Sequence, residues 1–238
     1  MNMKRNSGLF LGTFLSLGSS TVAEVCGKYP FDWIMIDGEH GAGASEDAMF
    51  RILQAMGPTH AKKIVRLGEP DHAQIQHVLD WGADGLMIPH VDSPDIAAKA
   101  LDSMLYPPKG HRGYSRSVRT FGYGTDIPET PPKPLFFAQI ETFEAVERIG
   151  DIASVDGVDV LFVGPADLGF DLKARGSSKT VADLLPLIAE AVKPTGKALG
   201  ILTRDDADIV PRLELGYTHQ AVDSDLGILR RRWKELTS

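Results

Sequence analysis

A single cysteine, Cys26, is all that the 238-residue sequence carries, so no intrachain disulfide can form, and a reducing compartment suits the chain. Cys26 falls among Val22, Ala23 and Val25 in a helix-like stretch, a poor setting for a thiol nucleophile. Long hydrophobic runs are missing as well, and nothing approaches the roughly 18 apolar residues of a membrane span. Lys4-Arg5 followed by the run Leu9 to Leu17 has the outline of a short signal peptide. The same run also reads as a strand, and we expect the strand and a cytoplasmic protein. Positive charge is the minority, with 25 Lys and Arg against 32 Asp and Glu for a net charge of −7, which argues against a nucleic-acid footprint. The run Arg230-Arg231-Arg232 lies in the last helix, where cations complement the macrodipole. No Gly-x-Gly-x-x-Gly follows a strand, no Gly-Lys-Ser/Thr loop occurs, and no His-Glu-x-x-His or Cys/His spacing is present. Nucleotide cofactors and a zinc site of those types therefore have no support.

What is present is an alternation of short apolar runs with helix-period segments. Hydrophobic residues make up 43% of the chain and charged ones 24%, ordinary values for a globular protein. Strands are expected at Leu9 to Ser16, Trp33 to Asp37, Lys63 to Leu67, Gly85 to Pro89, Phe136 to Glu141, Val160 to Asp167, Lys197 to Leu202 and Gln220 to Asp223. Helix starts are marked by Ser19-Ser20-Thr21, Ser45, Asp71 with Gln74 three residues on, and Ser93-Pro94-Asp95. Periodicity is lost from Tyr106 to Pro134, a loop long enough to suggest a function. About eight strands alternating with about eight helices, without a composition break, predict one (β/α)8 barrel domain over residues 1–238. A doubly wound open sheet is the alternative.

In a barrel, polar residues at the carboxyl ends of strands form the site. Here those are Asp37, Glu39 and His40, then Arg66, His90, Gln139 with Glu141, and Asp167. Glu141 and Asp167 end neighbouring strands and would seat a hard divalent cation, or else Glu141 caps a helix and Asp167 closes a turn. Gln139, two residues before Glu141, points to the same side of its strand. His40 is of the residue class suited to proton transfer near neutrality. Arg66, among apolar residues, needs either a carboxylate such as Asp37 or Glu39 or an anionic ligand. His60, His72, His77, His111 and His219 read as structural or solvent-facing.

Asp37-Gly38-Glu39-His40, Arg66, Tyr106-Pro107-Pro108-Lys109-Gly110-His111-Arg112-Gly113, Gln139-Ile140-Glu141-Thr142 and Gly164-Pro165-Ala166-Asp167-Leu168 occur in this order. Together they resemble the HpcH/HpaI aldolase/citrate lyase family, the metal-dependent pyruvate aldolases, over nearly the whole chain. The resemblance implies a (β/α)8 barrel, a homo-hexamer built as a trimer of dimers, and a last helix exchanged between subunits. It implies reversible aldol chemistry on the enolate of pyruvate or hydroxypyruvate with an aldehyde partner, and no partner among nucleic acids or membranes. Glu141 and Asp167 would hold Mg2+, Mn2+ or Co2+, with the 2-oxo acid chelating it. Gln139, the main chain at Ala166, and Asp167 would contact that acid. Arg66 would stabilise the enolate oxygen, and His40 would act as base through a metal-bound water. Asp80 matches the acidic residue that raises the basicity of the histidine, and from a helix end it reaches one only across a subunit boundary. No nucleotide, pyridoxal phosphate or Schiff-base lysine is expected, since the strand ends listed above contain no lysine. On the acceptor side, Arg112, Arg116 and Arg119 of the long loop read either as ligands for acidic groups or as partners of acids elsewhere. A lyase acting on a coenzyme A thioester, and a barrel that binds a 2-oxo acid without turnover, are the competing readings.

Overall fold

Each apolar run becomes a strand whose alternate side chains face opposite sides of the sheet. The structure, a computed structural model, describes residues 8–42, 44–57 and 59–238. Its strands are β1 (Phe10–Leu15), β2 (Trp33–Asp37), β3 (Lys62–Arg66), β4 (Gly85–Ile88), β5 (Leu135–Ile140), β6 (Val160–Val163), β7 (Ala198–Thr203) and β8 (His219–Ser224). They pair parallel in sequence order, and β8 pairs back onto β1, so the sheet closes. Closure excludes the open doubly wound sheet and gives the expected (β/α)8 barrel. The run from Leu9 is β1, held between β2 and β8. Lys4 and Arg5, whose basic charge suggested a leader, lie outside the described residues, as does Gly43 of the segment after His40.

Helices α1 (Ser20–Cys26), α2 (Glu46–Ala55), α3 (His72–Asp80) and α4 (Pro94–Met104) follow the first four strands in turn. Ser19, Ser45 and Asp71 cap the first three, each side chain accepting the N–H three residues on. Loss of one such cap typically weakens a helix by about 1 kcal/mol. At α3 only the Asp71 half of the expected capping box forms.

After β5 and β6 the single helices expected are split in two. These are α5 (Phe143–Glu147) with α6 (Ile149–Ala153), and α7 (Pro165–Ala174) with α8 (Val181–Val192). Arg148, at φ −103° and ψ 9°, breaks the first pair, and Gly176, at φ +67°, stops α7 soon after its end. Helix α9 (Ile209–Glu214) precedes β8, and α10 (Asp225–Thr237) ends the chain.

Closure sorts the apolar residues into two cores. Phe14, Trp33, Met35, Ile64, Phe137 and Phe162 fill the barrel interior. Ile34, Ile36, Val65, Phe136, Ile140 and Leu161, on the alternate positions, pack outward against the helices. That period of two decides the site. Continuing the inward rows toward the carboxyl ends gives Asp37 after Met35, Arg66 after Ile64, Gln139 and Glu141 after Phe137, and Gly164 after Phe162. Four of these five residues are polar, and they cap an otherwise apolar interior. His219 begins β8 at the opposite end, stacked on Phe10 at 4.7 Å between ring centroids. Burial lowers its pKa to about 4, the behaviour of a structural histidine. His111 bonds Asp102, and His72 lies 3.1 Å from Ser103.

Candidate active site

At the carboxyl mouth the inward rows open into a cavity of about 420 Å3, lined by Asp37, His40, Arg66, Gln139 and the segment Gly164 to Asp167 among others. Arg66 is the hub. Its Nε and Nη2 donate to Asp37 Oδ1 at 3.1 and 2.9 Å, and its Nη1 sits 3.0 Å from Glu39 Oε2. Both carboxylates named as alternatives for this guanidinium are therefore engaged at once. Of the five N–H donors that Arg carries, two are committed to hydrogen bonds with Asp37. Nη1 faces Glu39, and the N–H groups that remain leave capacity for an anionic oxygen in the cavity. Asp37 also accepts the backbone N–H groups of Glu39 and His40 at 3.2 and 3.1 Å. One carboxylate thus fixes both the guanidinium and the turn that presents His40. Burial raises the pKa of Glu39, outweighing the opposing pull of Arg66 and His40. Its Oε1 lies 3.7 Å from His40 Nε2, and the imidazole itself is 67% exposed at the mouth.

Glu141 follows β5 directly and is only 2% exposed. Its Oε1 accepts the backbone N–H of His90 at 2.8 Å, and its Oε2 meets the side-chain amide of Gln139, the same-face relation expected for residues two apart. His90 adopts φ +49°, a left-handed conformation that His tolerates better than most residues and that aims its N–H at the carboxylate. Thr142, not Glu141, caps α5, so the capping reading for Glu141 fails. Asp167 lies in the first turn of α7 and is exposed. It stands beyond the strand end proper, where the helix N-terminus favours a carboxylate. Gly164 separates the two acids. A Cβ there would fall 2.8 Å from Glu141 Oε2 and 3.1 Å from Gln139 Nε2, so a side chain would crowd the carboxylate.

These residues fit a hard divalent cation. Two carboxylates sit on adjacent strand-to-helix junctions, and Gln139 Oε1 is a buried oxygen with no hydrogen-bond partner. Among the described residues no cluster of three or more His, Cys, Asp or Glu could hold a metal. The remaining ligands would be waters and substrate oxygens, the pattern that Mg2+ prefers.

Asp80 is not brought to His40 within the chain. It ends α3, toward the amino ends of the strands, and accepts from Arg112 Nη2 at 2.7 Å, with Arg112 only 5% exposed. Arg112 and Arg119 line a separate cavity with Lys62, Lys63 and Asp84 at the starts of β3 and β4. Arg119 donates to the carbonyls of Trp81 and Leu53. The acceptor-side role considered for these two arginines is therefore not met within one chain. The long loop instead fastens the barrel's far end. The mouth does hold two arginines absent from the strand-end list: Arg204, directly after β7, and Arg230 on α10. Extending the strand-end rule to β7 finds Arg204. No such rule reaches Arg230, six residues beyond β8.

Fold and site together define a (β/α)8-barrel enzyme with carboxylates, a guanidinium and an imidazole at the carboxyl mouth. The family model HpcH/HpaI aldolase/citrate lyase matches residues 11–231, and the chain belongs to that family of carbon–carbon lyases. The family is divalent-metal-dependent. A 4-hydroxy-2-oxovalerate aldolase of Novosphingobium aromaticivorans is 38% identical over 97% of this chain and 92% of its own length. A 4-hydroxy-2-oxo-heptane-1,7-dioate aldolase of Salmonella typhimurium is 35% identical over 93% and 86%. The crystal structure of a family protein from Burkholderia cenocepacia J2315 superposes with a TM-score of 0.87 at 30% identity, covering 98% of this chain and 96% of that one.

Proposed function

We propose that this chain catalyses the reversible aldol cleavage of 4-hydroxy-2-oxo acids to pyruvate, or hydroxypyruvate, and an aldehyde. The observation that carries the reading is the convergence of Arg66, His40, Gln139 and Asp167 on one cavity, with Glu141 buried directly behind it. The relatives named above supply the substrate class.

In the cleavage direction the C4 hydroxyl loses its proton, the C3–C4 bond breaks, and its electron pair becomes the enolate of the 2-oxo acid. The aldehyde departs, and C3 is then protonated. Glu141 and Asp167 would hold a divalent cation such as Mg2+, Mn2+ or Co2+, which when bound polarises the keto oxygen. Arg66 offers its uncommitted N–H groups to the oxygen on which negative charge develops. It is held in place by Asp37, so little reorganisation accompanies the reaction. Gln139 and the main chain at Ala166 orient the acid. His40 takes up the hydroxyl proton and returns a proton to C3, and the Asp37 carboxylate fixes the backbone of its turn. Among the described residues no lysine lines the cavity, which favours this route over an imine route.

The reading extends to a homo-hexamer, a trimer of dimers, in the cytoplasm. Helix α10 exposes Leu226, Ile228, Trp233 and Leu236, beside an apolar groove where Leu15, Val22, Val25 and Phe31 meet Ile228 and Leu229. That is the surface an exchanged helix would cover. In such an assembly Asp80 would serve a histidine across the subunit boundary. Among the described residues no helix is long and apolar enough to cross a membrane.

The test is cleavage of 4-hydroxy-2-oxovalerate and 4-hydroxy-2-oxo-heptane-1,7-dioate, following pyruvate release with added Mg2+ or Mn2+ and again with chelator. Metal-dependent release from either supports the proposal. Release from neither, alongside cleavage of a coenzyme A thioester, would refute it.

A further inference from the structure

We infer that the cavity at the amino ends of the strands is a second binding site, which takes a phosphate group, either free or carried by a small organic molecule. It measures about 650 Å3, a size usual for small-molecule pockets. Lys62 and Lys63 line it from the start of β3, Asp84 from the residue before β4, and Arg112, Arg119 and Lys133 from the long loop. Lys62 and Arg66 stand at opposite ends of β3, separated by about 13 Å of strand. The two cavities have no lining residue in common. This site therefore does not depend on the aldolase reading.

The wall is rich in donors and short of acceptors. Among the described residues Asp84 is the one carboxylate that lines the cavity. Lys63 and Lys62 share it at 3.4 and 3.7 Å, and its Oδ2 also accepts the backbone N–H of Lys63 at 2.9 Å. Arg112 pairs with Asp80 at 2.7 Å, and Lys133 with Asp159 at 2.8 Å. Among the described residues Arg119 has no ion pair, and its guanidinium donates to the carbonyls of Trp81 and Leu53 at 2.6 and 3.2 Å. Five cations thus meet three carboxylates, which leaves a surplus of two positive charges in a chain whose net charge is −7. Two further polar atoms, Arg112 Nε and Tyr106 Oη, are buried without any hydrogen-bond partner, and Arg112 is only 5% exposed. A buried donor left without an acceptor is costly. A phosphate monoester answers these features together, because it brings about −1.5 to −2 charge at pH 7 and three acceptor oxygens. Lysines meet such a group as point charges, and Arg offers it a planar fork. Phe121, Pro131, Pro134 and Leu135 add apolar wall, which suits an organic body attached to the phosphate.

The experiment is calorimetric titration of the full chain with phenyl phosphate, inorganic phosphate and phenol, with chelator present so that no metal ion draws phosphate to the mouth. It is run on the wild type, the double variant Lys62→Gln with Lys63→Gln, Asp84→Asn, and the double variant Arg204→Gln with Arg230→Gln. Lys179→Gln, outside both cavities, is the control. We expect phenyl phosphate to bind the wild type and phenol not to bind. Loss of the two lysines should raise the Kd about tenfold, typical for losing a hydrogen bond to a charged group. Asp84→Asn should lower it about fivefold, as expected for removing one close like charge in a wet site, a gain that a misfolded variant would not show. Added salt should weaken binding. Tighter binding of phenyl phosphate than of inorganic phosphate supports a ligand with an organic body, and equal binding supports free phosphate. Absence of binding by both phosphates overturns the inference. So does a Kd that the lysine pair and Asp84→Asn leave unchanged, and a Kd moved by the Arg204 and Arg230 changes alone would place the anion at the mouth instead.

Discussion

Asp37 shows how much one side chain organises here. It accepts from Arg66 and from the N–H groups of two following residues, so guanidinium and imidazole share one anchor. The sequence made Asp37 a candidate partner for Arg66, because a buried guanidinium must be answered. It offered Glu39 as the alternative and could not show that both engage at once, which depends on the turn after β2. Arg204 was missed although it ends a strand like the others, and Arg230 was hidden because the path of α10 over the mouth is a tertiary fact. His219 carries a prediction of its own. Its folded pKa, about 4, lies below the ordinary 6.5, so between these values the unfolded chain binds a proton that the folded chain refuses. Stability contributed by the neutral ring is complete above pH 6.5 and is lost as pH falls toward 4. Urea unfolding of the wild type and of His219→Phe, which keeps an aromatic ring against Phe10, should show the wild type losing about 2–3 kcal/mol more between pH 7 and pH 4.5. Parallel losses in both proteins would contradict this.

At the level of elements, the eight strands were legible because each is a continuous apolar run ended by turn residues or charge. Their inward and outward rows were not, since only closure decides which alternate set faces the interior. The paired helices after β5 and β6 were read as single ones, because the breaks at Arg148 and Gly176 are local backbone choices within otherwise helical sequence. The junction of β8 and α10 rests on Asp225, whose carboxylate accepts the N–H groups of Ser16, Leu17 and Leu226 at 2.8, 3.1 and 2.7 Å. Asp225→Ala would leave these donors orphaned and should destabilise the protein by about 3 kcal/mol, read as a lower Tm. The same change should quicken thiol labelling. Burial, with Asp225 adding, pushes the Cys26 pKa up to about 11, and removing that carboxylate relaxes part of the shift. An unchanged labelling rate and Tm would mean that α10 is held by other contacts.

For the whole molecule, a barrel with its polar set at one mouth and Asp80 paired with the buried Arg112 at the other end leaves Asp80 remote from its proposed histidine unless subunits associate. Light scattering after gel filtration should give six times the 25.8 kDa chain mass. Deleting α10 from Leu226 onward should reduce that mass, whereas a wild-type monomer would remove Asp80 from the mechanism. The central claim is enolate formation at the mouth, and it can be tested without knowing the aldehyde. Proton–deuterium exchange at the methyl group of pyruvate in D2O, followed by NMR with Mg2+ or Mn2+ and again with chelator, tests it most directly. The account predicts exchange that requires the metal and disappears in Glu141→Ala. Failure of both pyruvate and hydroxypyruvate to exchange with metal present would contradict it.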